Sequence, residues 1–342
     1  MKDDNRDKVL REWAEVSEGS AGTSEEKFRI FCGKTFGMDS TSLAELTPTL
    51  DQAFSTFDAD RDGHLNTAEF QTCWTSWIEP VLFPRNALLV IDIQNDFITG
   101  SLALKNAPAK QDGAEVVPIA NQLIGLGQFQ DVVYSQDWHP SDHCSFIEKI
   151  SEQELDSSTE ITADKAKVFD TVVLAGSPPV KQQLFPSHAV RNTSGADFHE
   201  DLKVPPNSKI IKKGTHKHAD CMSVFADYRG RPTELDVWLT ARNITDVFLC
   251  GLAMDYCVGL TALDALDLGY RTWVVEDGTR GCFEDQIEDL KNRIRKKGGI
   301  FVKSHEVENI LGGTNRNLEK VKAGLSSSAL RRHGAKDEAG NA

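Results

Sequence analysis

Cys257 stands between an apolar run, Val247 to Cys250, and a breaker-free apolar segment, Val258 to Leu268, with Gly251 in the turn between them. The run reads as a buried strand and the segment as a buried helix, which puts the thiol at a helix start. Unpaired N–H groups and the helix dipole there favour a thiolate and can hold a developing oxyanion. The position suits a cysteine nucleophile. Other reactive side chains fall where the pattern ends other strands. Asp92 closes Ala87–Ile91, Asp137 and His139 follow Val132–Ser135, and Lys213 follows Lys209–Lys212. Sites in doubly wound sheets form beyond the carboxyl ends of the strands, so these groups converge on one edge. Alternation sends Lys212 and Lys213 to opposite faces without choosing between them. His188 ends Leu184-Phe185-Pro186-Ser187-His188, within a long excursion from Ser145 to Pro206.

The elements that must position these groups alternate. Strands are expected at Ala87–Ile91, Val132–Ser135, Lys209–Lys212, Val247–Cys250, Thr272–Val275 and Ile300–Val302. Helices are expected at Glu115–Leu126, Thr233–Arg242 and Val258–Leu268, the last closed by Gly269. The sum is an α/β domain over residues 85–315, with a doubly wound, mostly parallel six-stranded sheet flanked by helices. No GxGxxG follows the first strand, so dinucleotide binding is not indicated. The stretch Glu148 to Asp164 is acidic and poor in apolar residues, which predicts a solvated or mobile segment.

Residues 1–80 read as a small all-α region. Thr47-Pro48 is a helix start by type, and Leu50, Ala53, Phe54 and Phe57 form an apolar stripe after it. Asp58, Asp60, Asp62, Gly63 and Glu69 then occupy loop positions 1, 3, 5, 6 and 12 of an EF-hand calcium loop. His64, at position 7, would offer its carbonyl and turn its imidazole to solvent. Phe28 to Leu43 is the candidate for a degenerate partner hand. Pro80 and Pro84 bracket Val81-Leu82-Phe83 and mark a linker. Asn315 to Leu325 suits a last short helix, and residues 316–342 otherwise read as a disordered tail.

Bulk properties narrow the function classes. A net charge of −14 argues against nucleic acid and against anionic membrane surfaces. Seven cysteines without a CxxC pair point to free thiols and a reducing compartment, the cytoplasm or nucleus. The charged start, Met1 to Arg6, lacks the apolar core of a signal peptide, and no apolar run is long enough to span a membrane.

Five motifs in order resemble the isochorismatase-like hydrolases, and within them the nicotinamidases: D-x-Q-x-D-F at Asp92 to Phe97, D-W-H at Asp137 to His139, L-F-P-S-H at Leu184 to His188, K-G at Lys213, and G-x-A-x-D-Y-C-V at Gly251 to Val258. The calcium loop ahead of them is similar to that of the animal members that carry an EF-hand. The resemblance implies hydrolysis of nicotinamide to nicotinate and ammonia through a thioester on Cys257. It assigns Asp92 as proton carrier and Lys213 as its partner, lowering the pKa values around it. It assigns the Ala253 and Cys257 N–H groups as oxyanion hole, behind a cis peptide. Asp137, His139 and His188 would bind one metal, a set suited to Zn²⁺ that also fits Fe²⁺ or Mn²⁺. Phe97 and Phe185 would sandwich the ring, and His143 is a further candidate ligand. Other members act on other small amides. A calcium-responsive binding protein with an inactive hydrolase domain is the alternative of another class. No nucleic-acid or membrane partner is implied, and self-association is left open.

Overall fold

The computed structural model describes residues 2–16, 22–312 and 318–325. Two compact units result, one drawn from residues 1–85, 266–271 and 309 onward, the other from residues 86–265 and 272–308.

In the second unit, β1 (Asn86–Ile91), β2 (Asp131–Asp137), β3 (Lys209–Lys213), β4 (Asp246–Leu252), β5 (Arg271–Arg280) and β6 (Ile300–Val302) form a six-stranded sheet in the order β6-β5-β4-β1-β2-β3. β1 pairs in parallel with β2 and β4, β2 with β3, and β5 with β6. β1 and β4 are buried along their whole length, which is why they read as unbroken apolar runs. The order reverses between β1 and β4. Such a reversal opens a crevice at the carboxyl ends of the two strands. Asp92 follows β1 there, and the turn bearing Cys257 follows β4.

Helices cover the sheet at Val116–Gly125, Leu235–Ala241, Gly259–Asp267, Glu284–Lys296 and Ser304–Leu311. The helix expected from Thr233 begins two residues later because the Thr233 hydroxyl accepts the Leu235 N–H (3.1 Å), acting as a cap. Gly269, at φ +87°, ends the chain of turns that Cys257 begins.

The stretch from Glu148 to Asp164 is solvated, as expected, with Ile150 its one buried residue, but it is ordered in secondary structure rather than mobile. Ile147–Glu152 forms a 3₁₀ helix that buries Ile150, and Leu155 bridges to Leu174 in a hairpin of Thr171–Leu174 and Val180–Gln183. Ile150, Val172, Leu174, Leu184 and Cys144 make a small core under it. A few apolar residues at irregular spacing suffice for a cluster of this size and leave no periodic signal.

The first unit is helical, with helices at Lys2–Val16, Glu25–Phe36, Ser40–Phe57 and Thr67–Cys73, the last running on through Trp74–Ile78 to Glu79–Leu82. Three expectations are corrected. The third helix starts at an Asp39 cap, whose side chain accepts the Ser42 N–H, and Pro48 lies inside it. The strand pairing with the loop strand His64–Leu65 is Thr23–Ser24, before the second helix rather than within Phe28 to Leu43. That segment instead supplies Phe28, Phe31 and Phe36 to an aromatic core. The linker reading of Val81 to Phe83 also gives way, because Val81 is helical and buried in the same core. The last helix spans Leu318–Ala323, and the Val321 carbonyl accepts the Trp77 indole N–H (3.1 Å). Of the expected tail, residues 316–317 and 326–342 lie outside the described residues. Among the described residues no helix is long and apolar enough to cross a membrane.

Candidate active site

The register of β2 against β3 sets Asp137 opposite Lys213, so both side chains leave the same face at the strand ends. Lys212 goes the other way and lies over the Trp138 ring at 3.6 Å. The choice between the two lysines that alternation left open is thereby made. Lys213 is wholly buried, with Nζ 2.6 Å from Asp137 Oδ1, 2.9 Å from the Cys221 carbonyl oxygen and 3.2 Å from Cys257 Sγ. An ammonium has three N–H groups, and a fourth acceptor also reaches this one. Asp92 Oδ2 stands 2.9 Å from Nζ as an ion pair. Its other oxygen accepts the Ser135 hydroxyl (2.7 Å). Asp92 also stands beside the thiol, and the heteroatoms of Asp92, Asp137 and Cys257 lie within 4.8 Å of one another.

Burial decides the charge states. It raises Asp92 and outweighs the lowering by the Lys213 ammonium. Burial would raise Asp137 too, but Lys213 and His139 hold it well below the usual carboxylate range. Lys213 stays charged, because Asp137 and Asp92 overcome the cost of burying it. Cys257 is raised by burial despite Lys213. Lys213 lowers the pKa values around it, as expected, but at Asp92 and Cys257 burial outweighs it. Burial therefore favours the thiol over the thiolate that a helix start alone would favour.

The Leu252–Ala253 peptide is cis, and the Ala253 carbonyl accepts the Tyr256 and Val258 N–H groups (3.0 Å each) on either side of Cys257. Asp137, His139 and His188 bring one carboxylate and two imidazoles within 4.8 Å. The Nδ1 of His139 is bonded to the Gly214 carbonyl (2.9 Å) and that of His188 to the Pro186 carbonyl (2.8 Å). Carbonyl partners fix each ring as an Nδ1–H tautomer and leave Nε2 as a donor, a good fit to a divalent cation. Burial, then His139, pushes His188 down to about 4, so it is neutral and able to ligate near neutral pH. Gly214 has φ +63°, and a Cβ on it would lie 2.3 Å from the His139 ring, so the second residue of the K-G pair must be glycine. His143 stacks on His139 (4.1 Å) and forms a second group with His139 and Asp220.

A pocket lined by Cys257, Asp137, His188, Phe97, Phe185 and Phe169 among others opens beside the thiol. The Phe97 and Phe185 rings stand 5.6 and 5.7 Å from His188. Sequence reasoning missed Phe169, a lone aromatic in irregular chain that carries no periodic signal. It also gave no role to Gln94, whose buried amide brackets the Asp137 backbone, accepting its N–H (2.8 Å) and donating to its carbonyl (2.9 Å). Gln94 was visible as the third residue of D-x-Q-x-D-F. His216 and His218 are exposed and His199 half-buried, away from this cluster.

In the helical unit, carboxylate oxygens of Asp58, Asp60 and Glu69 also lie within 4.8 Å of one another. Asp62 is not in that group, and its Oδ1 accepts the His64 N–H (2.8 Å). The His64 side chain is 43% exposed, so its imidazole faces solvent. Glu69 closes the loop on itself by accepting the Ala59 N–H (2.8 Å) and the Asn66 N–H (3.0 Å).

A buried thiol, carboxylate and ammonium at the switch point of a parallel sheet are the working parts of a cysteine hydrolase. The sequence profile of the isochorismatase domain matches residues 86–306, and the chain belongs to that family. It is a hydrolase acting on an amide bond. The nicotinamidase of Escherichia coli (strain K12) is 38% identical over 201 residues, covering 58% of this chain and 84% of that protein. Among solved structures, an Acinetobacter baumanii nicotinamidase/pyrazinamidase is 33% identical with TM-score 0.55, covering 65% of this chain and 98% of that one. The yeast nicotinamidase bound to the inhibitor nicotinaldehyde is 26% identical with TM-score 0.54, covering 64% and 99%.

Proposed function

We propose that the chain hydrolyses nicotinamide to nicotinate and ammonia, with Cys257 as nucleophile. The observation that carries this reading is the buried cluster itself: Cys257 Sγ and Asp92 Oδ2 stand 3.2 and 2.9 Å from the same Lys213 ammonium, which supports Asp92 as the acceptor of the thiol proton. Sγ then attacks the carboxamide carbon, and the oxyanion is held by the Ala253 and Cys257 N–H groups. Asp92 returns the proton to the amide nitrogen, the C–N bond breaks and ammonia leaves a thioester. Water gives a proton to Asp92 and attacks the thioester; the C–S bond breaks and Asp92 reprotonates the thiolate. Phe97 and Phe185 would form the walls against the ring.

Asp137, His139 and His188 would hold a divalent cation, Zn²⁺ by the character of the donor set, with Fe²⁺ and Mn²⁺ as alternatives. When bound, the cation supplies a Lewis-acidic position for a pyridine nitrogen. That favours nicotinamide over a small amide without a ring nitrogen, the nearest rival substrate class. The test is ammonia release by the metal-loaded protein from nicotinamide and from a panel of other small amides. Turnover is expected to be fastest on nicotinamide. No release from it would reject the reading, and faster release from an amide lacking the ring nitrogen would transfer the function to that class.

All seven cysteines are unpaired, which suits the cytoplasm or nucleus. The loop from Asp58 to Glu69 is proposed as an EF-hand calcium site, with Asp58, Asp60, Asp62, Glu69 and the His64 carbonyl as ligands. Asp58 is buried, and its Oδ1 has no hydrogen-bond partner, which supports a cation there. Ca²⁺ at 100 times its Kd is expected to stabilise the helical unit by about 2.7 kcal/mol. Thermal melts with Ca²⁺ and with chelator would read this. Glu69→Gln should abolish the shift, and an unchanged shift in that variant would contradict the site.

A further inference from the structure

The turn that carries Cys257 is fastened to another wall of the pocket by one side chain. Asp255 is buried (5% exposed), and its carboxylate accepts the Cys282 N–H at both oxygens (3.1 and 3.0 Å) and the Phe283 N–H (2.8 Å). It forms no ion pair among the described residues, so backbone amides alone satisfy it. Cys282 lines the pocket, and Phe283 stands edge-on to Phe169, another lining residue (5.2 Å, 90°). Phe283 is also the N-cap of the helix Glu284–Lys296 and cannot cap it with its own side chain. Asp255 places a carboxylate at that helix start from a different element, where the dipole favours negative charge. Space around it is tight: a Cβ on Gly281 would come within 2.7 Å of Asp255 Oδ1 and within 2.6 Å of Ile287 Cδ1.

On its own side, Asp255 lies two residues before the thiol. The chain between is kinked at Tyr256 (φ −135°, ψ −107°), outside helical geometry. The Ala253 carbonyl ties the turn internally through the Tyr256 and Val258 N–H groups, and Asp255 attaches it to the Cys282–Phe283 segment. Burial pushes Asp255 up to about 6, so near neutral pH it is an anion held by amides.

We propose that Asp255 is a positioning residue whose ionised carboxylate locks the Cys257 turn against the Cys282–Phe283 wall, setting the thiol's approach to bound substrate. The inference rests on Cys257 as nucleophile. It concerns geometry rather than substrate binding, so the loss belongs in kcat rather than KM. It also belongs in the chemical reactivity of the thiol without substrate.

The experiment uses the full-length, metal-loaded protein and compares wild type, Asp255→Asn, Gly281→Ala, their double variant and Cys257→Ala. Steady-state kcat and KM for nicotinamide are measured beside the rate of Cys257 alkylation by iodoacetamide, followed by peptide mass. Asp255→Asn is expected to lower kcat by about 10- to 100-fold, the scale of an ångström-sized misplacement, with KM within about threefold. Alkylation should slow with it. Gly281→Ala, which crowds the same oxygen, should act in the same direction, and the double variant should be no worse than Asp255→Asn alone. A folded Asp255→Asn protein with wild-type kcat and alkylation rate would overturn the proposal, as would additive losses in the double variant. If Asp255→Asn does not fold, Gly281→Ala in an Ile287→Ala background, compared with Ile287→Ala alone, decides: slower kcat and alkylation support the proposal, and unchanged values overturn it. Turnover by Cys257→Ala would remove the nucleophile reading and this inference together. An inactive Cys257→Ala beside a wild-type-like Asp255→Asn would remove this inference alone.

Discussion

Lys213→Met is expected to lose about 10²- to 10³-fold or more in kcat and about 3–5 kcal/mol in folding stability. The side chain is fully buried and lies between Asp92 and Asp137, 2.9 and 2.6 Å away. Methionine fills similar volume but leaves two carboxylates facing each other without a counter-ion. Asp137 would lose the ammonium that holds it ionised, and one of the pair would take up a proton. Sγ would lose its only charged donor, at 3.2 Å. Arginine is not a conservative rescue, because a planar guanidinium cannot present three diverging N–H groups to these acceptors. Steady-state kinetics and thermal melts of the same preparation check both effects. A Lys213→Met protein with near-wild-type kcat would remove the lysine from the chemistry.

Asp92→Asn should cost about 10²- to 10⁴-fold in kcat, the usual worth of a general acid–base group. The asparagine keeps the shape and can still accept the Ser135 hydroxyl, so folding is expected to survive. The pH profile carries the sign. The ionised carboxylate is the form that accepts the thiol proton, and burial raises its pKa. In wild type, kcat/KM should therefore fall as pH drops through a value above the ordinary aspartate pKa of about 3.9. That acid limb should vanish with the rate in Asp92→Asn. An unchanged limb in the variant would assign it to another group.

Much of this arrangement was legible because strand ends are legible. Unbroken apolar runs mark β1 and β4, and the polar residues that follow them, Asp92 and the Cys257 turn, come to the switch point as a matter of topology. Alternation alone left Lys212 and Lys213 open; the K-G motif picked Lys213, and the register of β2 with β3 places it opposite Asp137. The charge states were half legible. Lys213 lowers the pKa values around it as the motif implied, but burial outweighs it at Asp92 and Cys257, and burial is a property of the folded chain. The walls were half legible: Phe97 and Phe185 stand in motifs, whereas Phe169 arrives from an excursion whose packing leaves no periodic trace. Near the amino terminus, Pro48 pointed to a helix start that the Asp39 cap places eight residues earlier.

The central claim is a covalent step on Cys257, and acid quenching during nicotinamide turnover, followed by peptide mass spectrometry, tests it most directly. A nicotinoyl adduct is predicted on the peptide containing Cys257, disappearing as substrate is exhausted. Cys257→Ala should give neither adduct nor ammonia. Ammonia release by Cys257→Ala, or an adduct on a different residue in wild type, would contradict the account.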